Sequence, residues 1–292
     1  MKKLLLFFLT AVLIFNVNAA KKVVYVTLQK TMDATATTVD NDPIIQMLKV
    51  DPNLEVTVKI TTSASEVISD LADYDVIIVQ EAISGSAAIL QPSGSLALKT
   101  LPKPTIYNKT YAFKQGRALT TSTAAGGKEA TSTSLTVQSS ALSNELFKAC
   151  TIGTSNEINI FKAQTSDTGA SGTKALNYST GNNVSGSTLL AVPTALASDA
   201  SPCAIFVNDM PAGTTIDSET TISRIITLGM NFGAISANFG KNITDDGLTI
   251  WRNAVYLLAG LAVPDTKATL PSGINIVDTN FKVVNIQYFT IN

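Results

Sequence analysis

Residues 70–90 read DLADYDVIIVQEAISGSAAIL. The run closes a helix, crosses Val76, Ile77, Ile78 and Val79, and enters a turn of small residues. An unbroken β-branched run of this length suits a strand buried on both faces. Loops at the carboxyl ends of such strands hold ligands in open α/β sheets. This loop offers Gln80, Glu81, Ser84, Gly85 and Ser86, and no obvious catalyst.

The neighbouring segments give the run its context. KKVVYVTLQ, residues 21–29, is a second buried strand ending at Gln29. DNDPIIQMLKVD starts a short helix, with Asp42 as cap and Pro43 at its first position. LEVTVKIT, residues 54–61, alternates as a strand. SASEVISDLADY carries Ser63 and Glu66 at capping-box spacing, with Val67, Ile68 and Leu71 as the apolar face. KPTIYNKTYAF, residues 103–113, is the expected fourth strand. Strand and helix alternating at this spacing predict βαβ units, a mostly parallel sheet and right-handed crossovers. Gln80 and Glu81 then fall at the carboxyl end of a central strand.

Residues 120–140 are low in complexity and read as a surface loop. SNELFKAC predicts a short helix capped by Ser143. Residues 157–163, 173–179 and 187–195 read as strands, with TGNN at 180–183 as a hairpin-like turn. CAIFVNDM, ending near Asn208 and Asp209, and ISRIITLGMNFGAI read as further core strands. The best helix is NITDDGLTIWRNAVYLLAG. Thr244 caps it, Asp245 and Asp246 favour its positive end, and Gly260 stops it. Its buried stripe is Leu248, Trp251, Ala254, Val255 and Leu258.

Composition removes several functions. The 292 residues contain no histidine, which excludes Ser-His and Cys-His nucleophiles and histidine-based zinc sites. No metal or cofactor is implied. The leader has Lys2 and Lys3 before an apolar stretch at residues 4–15, then small residues up to Ala19 and Ala20. That pattern predicts a signal peptide over residues 1–19, a secreted, cell-surface or periplasmic address, and no transmembrane segment after cleavage. Loss of the two lysines takes the formal charge from −1 to −3, which argues against nucleic-acid partners. The expected partner is a glycan or another polar extracellular ligand. Cys150 and Cys203 either form a disulfide, worth about 4 kcal/mol in the chain-entropy model, or stand as two buried thiols.

SDLADYDVIIVQE, together with RIITLGMNFGAI and the NITDDGLTIWRNAVYLLAG helix, resembles the ThuA-like proteins. Those belong to the class I glutamine amidotransferase-like fold, and ThuA-like domains frequently occur in sugar-related contexts. The resemblance covers most of residues 21–262 and is loosest over 115–200. It implies a doubly wound, flavodoxin-like domain over residues 20–264, with 115–200 as an irregular, β-rich insertion or extension and a short C-terminal β segment. In the wider fold a Cys nucleophile with a His partner follows the third strand. Here Glu81 or Ala82 holds that place, so amidotransferase chemistry is not carried over. Residues 265–292 resemble the opening of a type IX secretion sorting domain of Bacteroidetes-type proteins; a closing β segment is the alternative.

Two functions follow as expectations. One is a non-catalytic binding or structural protein with Gln29, Gln80, Glu81, Ser84, Gly85, Ser86, Asn208 and Asp209 around a crevice. The other is a glycan hydrolase in which Glu81 and Asp209 face each other as a carboxylate pair. Glu81 also has a structural reading, as a strand-end carboxylate accepting backbone N–H bonds. DATATTVDND, residues 33–42, lacks the spacing of a calcium loop and reads as solvated.

Overall fold

The computed structural model describes residues 19–28, 42–61, 71–85, 87, 90, 91, 102–117, 119, 120, 122–165, 171–198 and 203–271. The segment expected as a signal peptide (apart from Ala19), Gln29, the helix expected from Ser63 up to residue 70, and residues 272–292 therefore lie outside the described residues.

Five strands form a parallel set. They are β1 (Lys21–Leu28), β2 (Leu54–Thr61), β3 (Val76–Val79), β4 (Thr105–Tyr107) and, much later, β14 (Ile225–Thr227). Their order across the sheet is β2-β1-β3-β4-β14, and every neighbouring pair is parallel. The sheet then continues with antiparallel pairing. Beyond β14 come β11 (Val207–Met210), β10 (Thr188–Pro193), β6 (Ser134–Val137) and β7 (Glu157–Asn159). Two small sheets flank it. One pairs β5 (Gly126–Ala130) with β8 (Leu176–Thr180); the other joins β9 (Val184–Ser185), β12 (Thr215–Ile216) and β13 (Glu219–Thr220).

The fold is thus α/β around one large mixed sheet. Residues 115–200 extend the main sheet and do not stand apart from it as an insertion: they supply β6, β7 and β10. Residues 120–140, expected as a loop, contain the whole of β5 and β6. The turn at 180–183 does not close a hairpin, since β8 pairs with β5 and β9 with β12.

Alternation in the parallel strands sorts the core into two faces. Val23, Tyr25, Ile78, Ile106 and Ile226 pack with α1 (Pro43–Lys49) and α3 (Asp245–Ala259). Val24, Val26, Ile77, Val79, Tyr107 and Ile225 pack on the other side with Ile83, Phe113, Ile205 and Ile216. Among the described residues that second side is covered by turns and loops rather than α-helix.

The helix signals act as local chemistry requires. Asp42 accepts the Ile44 N–H at 2.8 Å, and Thr244 accepts the Gly247 N–H at 3.0 Å. Gly260 ends α3 at φ +67°, the left-handed geometry that glycine adopts without a Cβ penalty. Trp251, Ala254 and Val255 are fully buried. The segment SNELFKAC forms only a 3-10 turn, Glu145–Phe147, capped by Asn144 rather than Ser143. Residues 265–271 run against α3: the Ala268 N–H donates to Thr249 Oγ1 at 2.9 Å, and Ala268 joins the core. No described helix is long and apolar enough to cross a membrane.

Candidate functional site

Strand register brings the site together. Val79 pairs with Tyr107, and Tyr107 with Thr227, so β3, β4 and β14 end side by side. The next residues are Gln80, Asn108 and Leu228. Two of the three are buried amides, and a polar network starts from them.

Gln80 is fully buried. Its Oε1 accepts from the Glu81 N–H and from Asn108 Nδ2, each at 2.6 Å. Its Nε2 donates to the Tyr25 hydroxyl, which in turn donates to Asp42 Oδ2 at 2.5 Å. Asn108 clasps the Met230 backbone, donating to its carbonyl at 2.7 Å and accepting its N–H at 2.8 Å. One chain of hydrogen bonds thereby links the α1 cap, Tyr25 within β1, the ends of β3 and β4, and the turn after β14. Every amide on this path is engaged in holding the fold. Gln80 is a tie between strands here and does not line a crevice.

Gly229 sits in that turn at φ +62°. A Cβ there would lie 2.3 Å from the Asn177 carbonyl oxygen and 2.5 Å from the Phe206 ring. The Asn177 N–H donates to the Gly229 carbonyl at 2.8 Å, so β8 is laced directly to the strand edge.

Glu81 has two partners of its own. Its Oε1 pairs with Lys109 Nζ at 3.0 Å, and its Oε2 accepts the Phe232 N–H at 3.0 Å. Phe232 opens α2 (Phe232–Ser236), so the carboxylate serves as a second cap beside Asn231. Lys109 also donates to the Glu81 carbonyl at 2.7 Å and lies 5.3 Å from the Tyr111 ring centroid. Both ends of the ion pair are nearly buried, at 8% and 12% side-chain exposure. A base so occupied must first give up a buried cation, which suits capping better than proton transfer.

Asp209 lies elsewhere. β11 runs antiparallel to β14, and Asp209 pairs with Ile226 while Met210 pairs with Ile225. The carboxyl end of β11 therefore points to the amino end of the parallel strands. Arg224, just before β14, clasps both Asp209 oxygens at 2.8 Å. The expected Glu81–Asp209 pair is not formed, because the two carboxylates leave opposite ends of the sheet. Asn208 also turns inward: its Oδ1 accepts the Phe206 N–H at 2.9 Å and its Nδ2 donates to Ser187 Oγ at 3.0 Å.

The loop after β3 is a pair of tight turns. The Ile83 N–H donates to the Gln80 carbonyl at 3.3 Å, and the Ala87 N–H to the Ser84 carbonyl at 2.9 Å. Ser84 is exposed; Ser86 lies outside the described residues. Gly85 does not have a positive φ, and an added Cβ would meet nothing within 4 Å. The turn does not need glycine there.

Sequence reasoning missed Lys109, Asn108 and Tyr25. The first two follow a strand end by the logic that picked out Gln80 and Glu81. They were hidden because the expected strand ran on to residue 113, where the chain instead forms a 3-10 turn, Thr110–Phe113.

Asp42 makes the network sensitive to pH. Burial raises its carboxyl from the ordinary 3.8 to about 6, against the opposing hydrogen bonds from Tyr25 and Ile44. A raised folded value means that the native state holds the proton more tightly. The stability from this proton is complete below pH 3.8 and is lost as pH rises through about 6. Urea melts should show a decline on the order of 2–3 kcal/mol across that window from this group. Asp42→Asn should flatten it.

Cys150 and Cys203 are free thiols, each partly buried against the core. Burial is the main cause that pushes both up to about 12. At pH 8 the thiolate fraction is then roughly 10³-fold below that of a free cysteine. A thiol reagent should label the native protein slowly at both positions and quickly after unfolding.

No family model, curated protein or solved structure matches the chain.

Proposed function

We propose that the chain is a secreted, non-catalytic binding or structural protein on an amidotransferase-like scaffold of the ThuA-like kind. The parallel half supports the scaffold reading. Numbered along the chain, its strands lie in the order 2-1-3-4-5, that of doubly wound flavodoxin-like sheets. The observation that carries the functional reading is Glu81. By the resemblance, Glu81 or Ala82 stands where related chemistry needs a nucleophile, and Glu81 is spent on Lys109 and on capping α2. The sequence also has no histidine to activate a nucleophile. A carboxylate hydrolase has less support, because Glu81 and Asp209 are each paired with a separate cation. A carbohydrate-related ligand remains part of the reading through the resemblance alone.

The test is a glycan-array and hydrolysis screen of the secreted protein beside Glu81→Gln and Asp209→Asn. The expected result is no turnover in any of the three. Glu81→Gln should cost about 1–3 kcal/mol of stability, since Lys109 loses its counter-charge. Turnover in the wild type that either variant abolishes would overturn the proposal. Export itself is checked by mass spectrometry, which should find a mature N-terminus near Ala19 or Ala20.

A further inference from the structure

Strand β2 ends the nine-stranded sheet, and among the described residues it is bonded only to β1. Such an edge offers a row of backbone groups on which another strand can add. The Lys21 N–H donates to the Asn53 carbonyl at 2.8 Å. In a parallel ladder alternate residues bond to one neighbour, so Glu55, Thr57 and Lys59 turn their backbone groups to β1. Val56, Val58 and Ile60 turn theirs outward. Leu54 turns out only its carbonyl, since its N–H is donated to the Asp51 carbonyl at 3.1 Å.

The side chains alternate too. Leu54, Val56 and Val58 lie on the face that packs with α1 and α3. Glu55, Thr57 and Lys59 lie on the other. Glu55 is exposed, and among the described residues no cation pairs with it. Thr57 and Lys59 are half-buried. This face therefore reads acid, hydroxyl, base, with the two charges equally spaced about Thr57.

We propose that β2 pairs antiparallel with β2 of a second copy of this chain, about a two-fold axis at Thr57. In that register Val56 meets the partner's Val58, and Leu54 meets the partner's Ile60. The outward groups then satisfy one another, each copy donating from Val56, Val58 and Ile60. Glu55 stands opposite the partner's Lys59, and Thr57 opposite the partner's Thr57. These are the non-hydrogen-bonded positions, where facing side chains come closest and opposite charges attract. A slip of one residue sets outward-facing backbone against inward-facing backbone. A slip of two, in either direction, sets a charge against Thr57 and loses both ion pairs. The charges thus select one register, and the two-fold closes the edge of both copies. One strand pair buries little area, so a Kd on the order of 1–100 μM is expected. The edge is independent of the reading of Glu81, so either proposal can fail without the other.

The experiment is sedimentation equilibrium of the mature protein across that concentration range, with native hydrogen exchange beside it. The wild type should pass from monomer to dimer, and exchange at the Val56, Val58 and Ile60 N–H groups should slow as it does. Glu55→Lys or Lys59→Glu sets like charges opposite each other at both ends of the ribbon and should raise the Kd about tenfold or more. An equimolar mixture of these two variants should associate again, because each presents the charges that the other repels in itself. If a variant does not fold, the wild-type exchange pattern decides. A wild type that stays monomeric, its charges merely guarding the edge, overturns the proposal. So does a dimer whose edge N–H groups stay unprotected, a dimer that both reversals leave intact, or a mixture no tighter than its parts.

Discussion

Trp251→Ala should lower the unfolding free energy by about 3–5 kcal/mol, the cost of deleting a large aromatic from a closed core. The indole is fully buried in the middle of α3, and its Nε1 donates to the Met230 sulfur at 3.2 Å. Met230 is the residue that Asn108 holds by its backbone. The ring therefore joins α3 to the turn beside Glu81. Truncation leaves a cavity and an unsupported turn together. Urea denaturation should show a lower midpoint with an unchanged slope. Trp251→Phe, which keeps most of the volume and loses the N–H, should cost clearly less. Leu142→Ala, at a surface position, should stay within about 0.5 kcal/mol. Equal effects for the two Trp251 variants would mean that the N–H, not the volume, matters most.

Gly229→Ala should be the second most damaging change, although it adds a single methyl group. Its Cβ would fall 2.3 Å from the Asn177 carbonyl, and backbone on both sides fixes that approach. Overpacking costs about 1–3 kcal/mol, and a left-handed φ for alanine adds about 1 kcal/mol more. The combined loss should be about 2–4 kcal/mol by thermal or urea melts. Gly85→Ala is the matched control and should be near neutral, since its Cβ meets nothing. A silent Gly229→Ala would mean that β8 can move away from the strand edge without loss.

Signals that act within a few residues were legible in the sequence. Helix α3 was read correctly from Thr244, the apolar stripe and Gly260, because caps and periodicity are local physics. Strands β1, β2 and β3 were legible for the same reason. Strand β5 was not. Its GGKEA sequence has poor strand propensity, and Gly127 is there because the Tyr111 ring lies 2.3 Å from where a Cβ would stand. That contact comes from 3-10 turn geometry upstream, which no periodicity reports. At the site, Gln80 and Glu81 were placed at the strand end correctly. Their partners were not, since Lys109 and Phe232 arrive through sheet register. Asp209 was placed at the wrong edge because local pattern does not encode whether a strand runs parallel or antiparallel.

The three-residue strand β14 stands between β4 and β11 and, among the described residues, is the only strand that joins the parallel and antiparallel halves of the sheet. It is also the last strand in the described chain. During synthesis, residues 21–107 can pair among themselves, and so can residues 134–210, but no ladder joins the two groups until residue 227 has emerged. Such late, long-range pairing is slow. In the interval β4 and β11 each present an open edge, the surface on which strands of other chains add. The aggregation hazard of this protein is therefore set by the delay before its seam strand arrives. A chain truncated before Ile225 would keep both edges exposed for good.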